Sequence, residues 1–132
     1  MVYLYDLAGM TFMQRLSLPH HLGRVLLSVN VKRDRPLLFC SNSVDQGTLK
    51  VFNVEDQKYM GKPMQCHEAQ ILQLASDLEG KFLITCSASQ KTLRLWNVDT
   101  GAKIASYALE SAIDITGLAL SQQGRIAALL QT

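Results

Sequence analysis

The chain alternates between short apolar stretches and short polar breaks along its whole length. Stretches of this length, many with apolar and polar residues in turn, predict β-strands rather than helices. The breaks contain Asp, Gly and Pro, as at Asp99-Thr100-Gly101, and these residues favour turns. We therefore predict an all-β chain with strands at residues 2–7, 11–18, 24–31, 37–41, 48–54, 58–65, 70–76, 82–87, 92–98, 103–109, 114–120 and 125–130.

Sequence markers recur at intervals of 44 to 47 residues. Residues 3–6, 50–53 and 94–97 have the sequences YLYD, KVFN and RLWN, and they lie 47 and 44 residues apart. Gly80 is followed 44 residues later by Gly124. A four-stranded blade of a β-propeller repeats about every 40–45 residues. We predict about three antiparallel blades, with blade material at roughly 1–20, 21–66, 67–110 and 111–132.

The predicted strands fall into groups of two, four, four and two, which is enough for three blades. A closed propeller needs about four to eight blades, so three blades form an incomplete ring. Open strand edges at both ends invite pairing with another chain. We therefore expect a fragment of a longer propeller, which is the preferred interpretation, or self-assembly in which a homodimer completes a six-blade ring.

Residues 67–101 resemble a repeat of the WD40-type propellers. His67 precedes an inner strand, small residues follow in Phe82–Ser87, and Trp96-Asn97 takes the place of the family's Trp-Asp. The resemblance implies a hydrogen-bonded set of His, Ser or Thr, Asp and Trp that ties the outer strand to the inner ones. It assigns structural roles to His67, Trp96 and Asn97. The Asp position holds Gln90, so the expected set is incomplete.

The order of features is most similar to that of the PROPPINs, the phosphoinositide-binding propellers of autophagy. The segments 2–7, 47–52 and 67–74 support this resemblance. PROPPINs have Leu/Phe-Arg-Arg-Gly on the following outer strand, and each arginine contacts a lipid headgroup. Ala108 and Leu109 occupy the two arginine positions here, and neither supplies the charge that a phosphate needs. The resemblance leaves His67, Ser87 and Thr92 as candidate lipid or partner contacts.

The charge balance excludes one class of partner. Thirteen Lys and Arg against eleven Asp and Glu give a net charge of +2, which is too small to predict a nucleic-acid surface. Lys32, Arg33 and Arg35 form the strongest basic run, in a predicted turn. They are candidates for contact with an acidic partner or a phosphate. A solvated turn is the alternative, and Asp34 within the run favours it.

Sequence motifs of enzymes do not occur in the chain. It has no nucleophile elbow, P-loop or dinucleotide-binding glycine pattern. Its three cysteines form no CxxC pair, and zinc sites usually need paired ligands. We therefore expect no enzyme activity, no cofactor and no metal. Sparse cysteines favour a reduced intracellular compartment, and we expect a cytoplasmic protein that is in part peripheral at membranes.

These observations predict a non-enzymatic interaction scaffold that presents its loops to other proteins. The loops are residues 32–36, 43–47, 77–80 and 99–102. Our first hypothesis is a PROPPIN-like adaptor in autophagy or membrane trafficking that acts through protein contacts. The first alternative is a phosphoinositide-binding PROPPIN recruited to membranes. The second is a subunit of an unrelated WD40 assembly in RNA processing or ubiquitin ligation.

Overall fold

The computed structural model describes residues 2–6, 9, 11–16, 25–30, 37–42, 47–54, 56–77, 79–87, 91–109, 115–121 and 124–131. These residues form strands joined by turns, and each strand overlaps a predicted one, so the all-β prediction is confirmed. The strands are β1 (Val2–Asp6), β2 (Thr11–Leu16), β3 (Val25–Asn30), β4 (Leu37–Asn42), β5 (Thr48–Asn53), β6 (Lys58–Gln65), β7 (Gln73–Ser76), β8 (Phe82–Ser87), β9 (Thr92–Asn97), β10 (Lys103–Ala108), β11 (Ile115–Leu120) and β12 (Ala127–Gln131). None of the described ranges contains a helix that could span a membrane.

The strands form four antiparallel sheets in which each strand lies beside its neighbours in sequence. The N-terminal hairpin is β1–β2, the first four-stranded sheet is β3–β6, the second is β7–β10, and the C-terminal hairpin is β11–β12. Strand β7 contacts both β3 and β11, so the first strands of these three sheets are close together. The first four-stranded sheet, the second and the C-terminal hairpin therefore lie in sequence order, as successive blades of an open propeller segment.

In both four-stranded sheets, the outer strand is more exposed than the strands in the middle of the sheet. Most residues of β6 and β10 are exposed, whereas five of the six residues of β8 are buried. Both outer strands lie at a sheet edge. Pro63 is in β6, where a missing N–H costs no pairing with a further strand.

Two clusters of apolar side chains hold the second four-stranded sheet between its neighbours. On one face, Leu83, Trp96 and Val98 pack with Phe39 and Leu49 of the first four-stranded sheet. On the other face, a second cluster joins this sheet to the C-terminal hairpin. That cluster contains the buried residues Ile84, Cys86, Leu93 and Ile115. Burial of this apolar area on both faces stabilises the packing of one blade against the next.

Candidate functional site

A buried hydrogen-bonded network joins His67 to strands β8 and β9. His67 Nε2 lies 2.8 Å from Thr85 Oγ1, and the indole N–H of Trp96 donates to the same oxygen at 3.0 Å. On the other side of the ring, His67 Nδ1 lies 3.3 Å from Thr92 Oγ1. His67 is only 1% exposed, and a buried polar ring needs such partners. The network therefore links the segment before β7 to the two middle strands of the same sheet.

The sequence did not identify Thr85 as a member of this network. Thr85 and Ser87 are both buried small polar residues on β8, and the WD40 pattern requires only a Ser or Thr on that strand. The strand pairing would have been needed to choose between them. Thr92 contacts the other ring nitrogen of His67, while Gln90, at the expected Asp position, is outside the described residues.

The side chain of Asn97 stabilises a turn, whereas that of Trp96 belongs to the buried network. Its Oδ1 accepts the backbone N–H of Thr100 at 3.0 Å and so closes the turn after β9. Asn53 Oδ1 accepts the N–H of Asp56 at 3.0 Å in the turn after β5. The two asparagines are 44 residues apart. The same side-chain bond therefore recurs at the same place in both four-stranded sheets.

Gly47, which belongs to the first four-stranded sheet, helps to position His67 through backbone hydrogen bonds. It lies between β4 and β5 with a φ of 85°, and its carbonyl accepts the N–H groups of Cys66 at 2.8 Å and His67 at 3.3 Å. A Cβ at this position would overlap the carbonyl oxygen of His67 and lie 2.7 Å from that of Ala69. Glycine permits both the backbone angle and the close approach.

The thiols of Cys66 and Cys86 are buried, and burial favours their protonated form. Burial raises the pKa of Cys66 to about 12, although the Arg94 charge and a hydrogen bond with Thr85 act in the opposite direction. Burial also raises the pKa of Cys86. A protonated thiol is a poor nucleophile and a poor metal ligand. Within the described ranges, no group of three His, Cys, Asp or Glu side chains could hold a metal ion.

The candidate lipid contacts are placed unfavourably for binding a headgroup. His67 and Ser87 are buried, and Thr92 contacts the imidazole of His67. Ala108 is exposed on β10, and Leu109 packs against the cluster beside the C-terminal hairpin. The basic run of Lys32, Arg33 and Arg35 lies outside the described residues.

A cleft of about 430 Å³ opens between the two four-stranded sheets. Strand β6 forms one wall, and the end of β9 with the following turn forms the other. Part of the predicted loop 99–102 therefore lies at this cleft. The apolar lining residues are Val51, Met60, Pro63, Met64, Trp96 and Val98, and the others are Gly61, Lys62, Gln65, Asp99, Thr100 and Gly101. This surface combines an apolar lining with charged side chains, and the sequence did not predict it.

Comparison with solved structures identifies the fold. The chain superposes on KlAtg21, solved in complex with the coiled-coil of AgAtg16, with a TM-score of 0.76 and 14% identity over 98% of this chain. It superposes on the β-propeller domain of Cps50 (Swd1) from Myceliophteria thermophila with a TM-score of 0.67 and 16% identity over 86% of this chain. The chain has the fold of a β-propeller segment. The predicted fold class is therefore confirmed.

This propeller segment spans less than half of the proteins that it resembles. It covers 43% of KlAtg21 and 34% of the Cps50 domain. Kuenenia stuttgartiensis hydrazine synthase also matches, with a TM-score of 0.61 and 20% identity, over 73% of this chain and 26% of that one. No protein-family model and no curated protein matches the sequence. The shared fold does not by itself specify a function.

Proposed function

We propose that this propeller segment is a non-enzymatic, PROPPIN-like adaptor that binds a partner protein in the cleft between its two four-stranded sheets. The cleft, with Trp96 in its wall, is the observation that supports the proposal. In this proposal the protein works in the cytoplasm, in autophagy or membrane trafficking, and it reaches membranes through its partner. The superposition on KlAtg21, a PROPPIN, over 98% of the chain supports that context.

The lining of the cleft suits a protein ligand. Met60 and Met64 line it beside Trp96, and methionine adapts its shape to apolar ligands while tryptophan is frequent at energetic centres of interfaces. Lys62 and Asp99 add charges of opposite sign. Charges at the rim of an interface guide orientation and partner choice more than they add affinity.

The position of Trp96 is set before a ligand arrives. Its indole N–H donates to Thr85 at 3.0 Å, and the residue is only 6% exposed. A partner in the cleft therefore meets a wall that is already ordered. Binding to a preorganised surface avoids part of the entropy cost of association.

The comparison with KlAtg21 favours a helical partner. KlAtg21 was solved with the coiled-coil of AgAtg16, and helices commonly dock through a few apolar side chains in a groove. A cleft of about 430 Å³ has the size of a small pocket, since such pockets hold about 300–1,000 Å³. We expect it to admit the apolar side chains of a single helical turn.

The test measures binding of the AgAtg16 coiled-coil fragment by biolayer interferometry. Lys62→Glu reverses a charge in the cleft, and Lys58→Glu makes the same change on the same exposed strand outside it. We expect the first variant to weaken binding at least fivefold and the second to leave it unchanged. Absence of binding by the folded, unsubstituted chain, or equal effects of both variants, would refute the proposal.

A vesicle flotation assay tests the competing lipid function. The burial of His67 and Ser87 and the uncharged Ala108 and Leu109 predict equal flotation with and without phosphoinositide in the vesicles. Flotation that requires phosphoinositide would overturn the version based on protein contacts alone.

A further inference from the structure

Arg94 on β9 is partly buried, and its guanidinium forms no ion pair among the described residues. Its Nη1 donates to the backbone carbonyl of Cys66 at 2.6 Å. Its Nε is buried, and within the described part of the chain this nitrogen has no hydrogen-bond partner. A charge removed from water is costly unless it is paired. A carboxylate supplied by a ligand would therefore be attracted to this side chain.

Arg94 lies at one end of the cleft between the two four-stranded sheets. Cys66, whose carbonyl it contacts, directly follows Gln65 in the wall formed by β6. Trp96 in the other wall comes two residues after Arg94 on the same strand. Residues two apart on a strand lie on the same face of the sheet. Arg94 therefore continues the surface of the cleft from an apolar region to a positive charge.

We propose that Arg94 binds a carboxylate of a helical partner protein, as the acidic member of an apolar–acidic pair in that helix. This inference rests on the proposed function, because it names the chemistry of the partner in the same cleft. The apolar residue of the pair packs against the side of the cleft that contains Met60, Met64 and Trp96. The acidic residue forms charge-assisted hydrogen bonds with the guanidinium.

The spacing of residues on β9 determines the spacing of the pair in the helix. A strand rises about 3.3 Å per residue, so Trp96 and Arg94 are separated by about 6.6 Å along β9. An α-helix rises about 1.5 Å per residue, so residues four apart are separated by about 6 Å along the helix. Such residues also lie on the same face. A helix alongside β9 therefore presents an apolar side chain to the cleft and an acidic one, four residues away, to Arg94.

The other charges of the cleft bear on where the acidic residue lies. Asp99 follows Trp96 on the side away from Arg94, and its charge disfavours a carboxylate at that end. Lys62 on β6 is the competing cation in the cleft. The experiment must therefore separate Arg94 from Lys62.

Three alanine-based helical peptides test the inference on the unsubstituted chain. The first has a central Leu with Glu four residues before and four residues after it, so it fits in either direction. The second has Gln in place of both Glu. The third has Glu two residues before and after the Leu, where the side chains do not share its face. In NMR titrations, we expect the first peptide to bind about tenfold more tightly than either control.

Two variants of the chain identify the cation that recognises the carboxylate. Arg94→Gln should abolish the preference for the first peptide over the Gln peptide. Lys62→Gln removes a charge of the same sign from the same cleft and should retain that preference. The comparison of peptides uses the unsubstituted chain, so it remains decisive if Arg94→Gln does not fold.

The outcomes separate this inference from the proposed function. Equal affinities for the three peptides, or no binding of any of them, would overturn the inference, even where the AgAtg16 fragment binds in the cleft. A preference that Lys62→Gln abolishes and Arg94→Gln retains would also overturn it. So would phosphoinositide-dependent flotation that Arg94→Gln abolishes, because the guanidinium would then bind a lipid phosphate. By contrast, a preference for the first peptide without binding of the AgAtg16 fragment would support recognition by Arg94 and refute the proposed function as tested.

Discussion

Replacing Gly47 with Ala tests how one blade holds the buried histidine of the next. Gly47 has a φ of 85°, a region that L side chains adopt at a cost. Its carbonyl accepts the N–H groups of Cys66 and His67. An added Cβ would overlap the carbonyl oxygen of His67 and lie 2.7 Å from that of Ala69. The turn or the segment around His67 must therefore move, and the two hydrogen bonds are lost.

The expected destabilisation is the sum of two contributions. A left-handed backbone conformation costs a non-glycine residue about 1–2 kcal/mol. Each lost backbone hydrogen bond contributes about 1 kcal/mol, so the two together contribute about 2 kcal/mol. We therefore expect Gly47→Ala to lower the free energy of unfolding by about 3–4 kcal/mol. Because domains are stable by only about 5–15 kcal/mol, this loss is easily measured.

Urea unfolding followed by the fluorescence of Trp96, the only tryptophan, measures the effect. Gly61→Ala is the matched control, because Gly61 has a φ of 61° but nothing lies within 4 Å of an added Cβ. The control should lose only the backbone contribution of about 1–2 kcal/mol. If Gly47→Ala destabilises the chain no more than Gly61→Ala does, the close approach to His67 does not support the blade packing.

Three further predictions concern the network and its surroundings. Thr85→Val removes the acceptor of the Trp96 indole N–H and should lower the free energy of unfolding by about 2–3 kcal/mol. The control in urea unfolding is Thr48→Val, which removes an exposed hydrogen bond between side chains. A loss for Thr85→Val that is no larger than the loss for this control would contradict the prediction. Asn97→Asp keeps the accepting Oδ1, so the free energy of unfolding of this variant should stay within about 0.5 kcal/mol of that of the unsubstituted chain. In the same assay, a loss above about 1 kcal/mol would contradict this and show that the amide NH₂ of Asn97 also contributes. Because burial raises the pKa of Cys66 from 9.0 to about 12 in the folded state, the unfolded state releases this proton first. The contribution of Cys66 to stability should therefore be constant below about pH 9 and be lost as the pH rises further. Thermal unfolding at pH 8 to 11 measures this contribution against a Cys66→Ala variant, and the same pH profile in both proteins would contradict the prediction.

The strands could be located from the sequence because their periodicity and turn residues are local properties. The largest difference is at β7, which begins at Gln73 although the apolar pattern predicts a strand from residue 70. Ile71 is apolar because it is buried in the core between the four-stranded sheets. Burial and strand pairing are separate requirements, and the hydrophobic pattern reports only the first.

The candidate site could be predicted only in part, because it depends on contacts between distant segments. The resemblance to WD40 repeats singled out His67 and Trp96. Thr85 is the hydrogen-bond partner of both because of the register in which β8 pairs with β9. The cleft depends on how β6 of one sheet lies against the turn after β9 of the next. No local sequence pattern specifies how far β6 lies from this turn. Ser87, a sequence candidate for contact, is buried.

In the proposed function, the double role of Trp96 would link partner binding to folding. Its N–H belongs to the buried network, and the residue is part of the cleft wall. A ligand that binds only the folded state raises the unfolding midpoint by mass action. A change deep in the network, far from any partner, would in turn loosen the ring and reduce affinity. Thermal stability and partner affinity should therefore vary together among natural variants of this blade, even where no cleft residue differs.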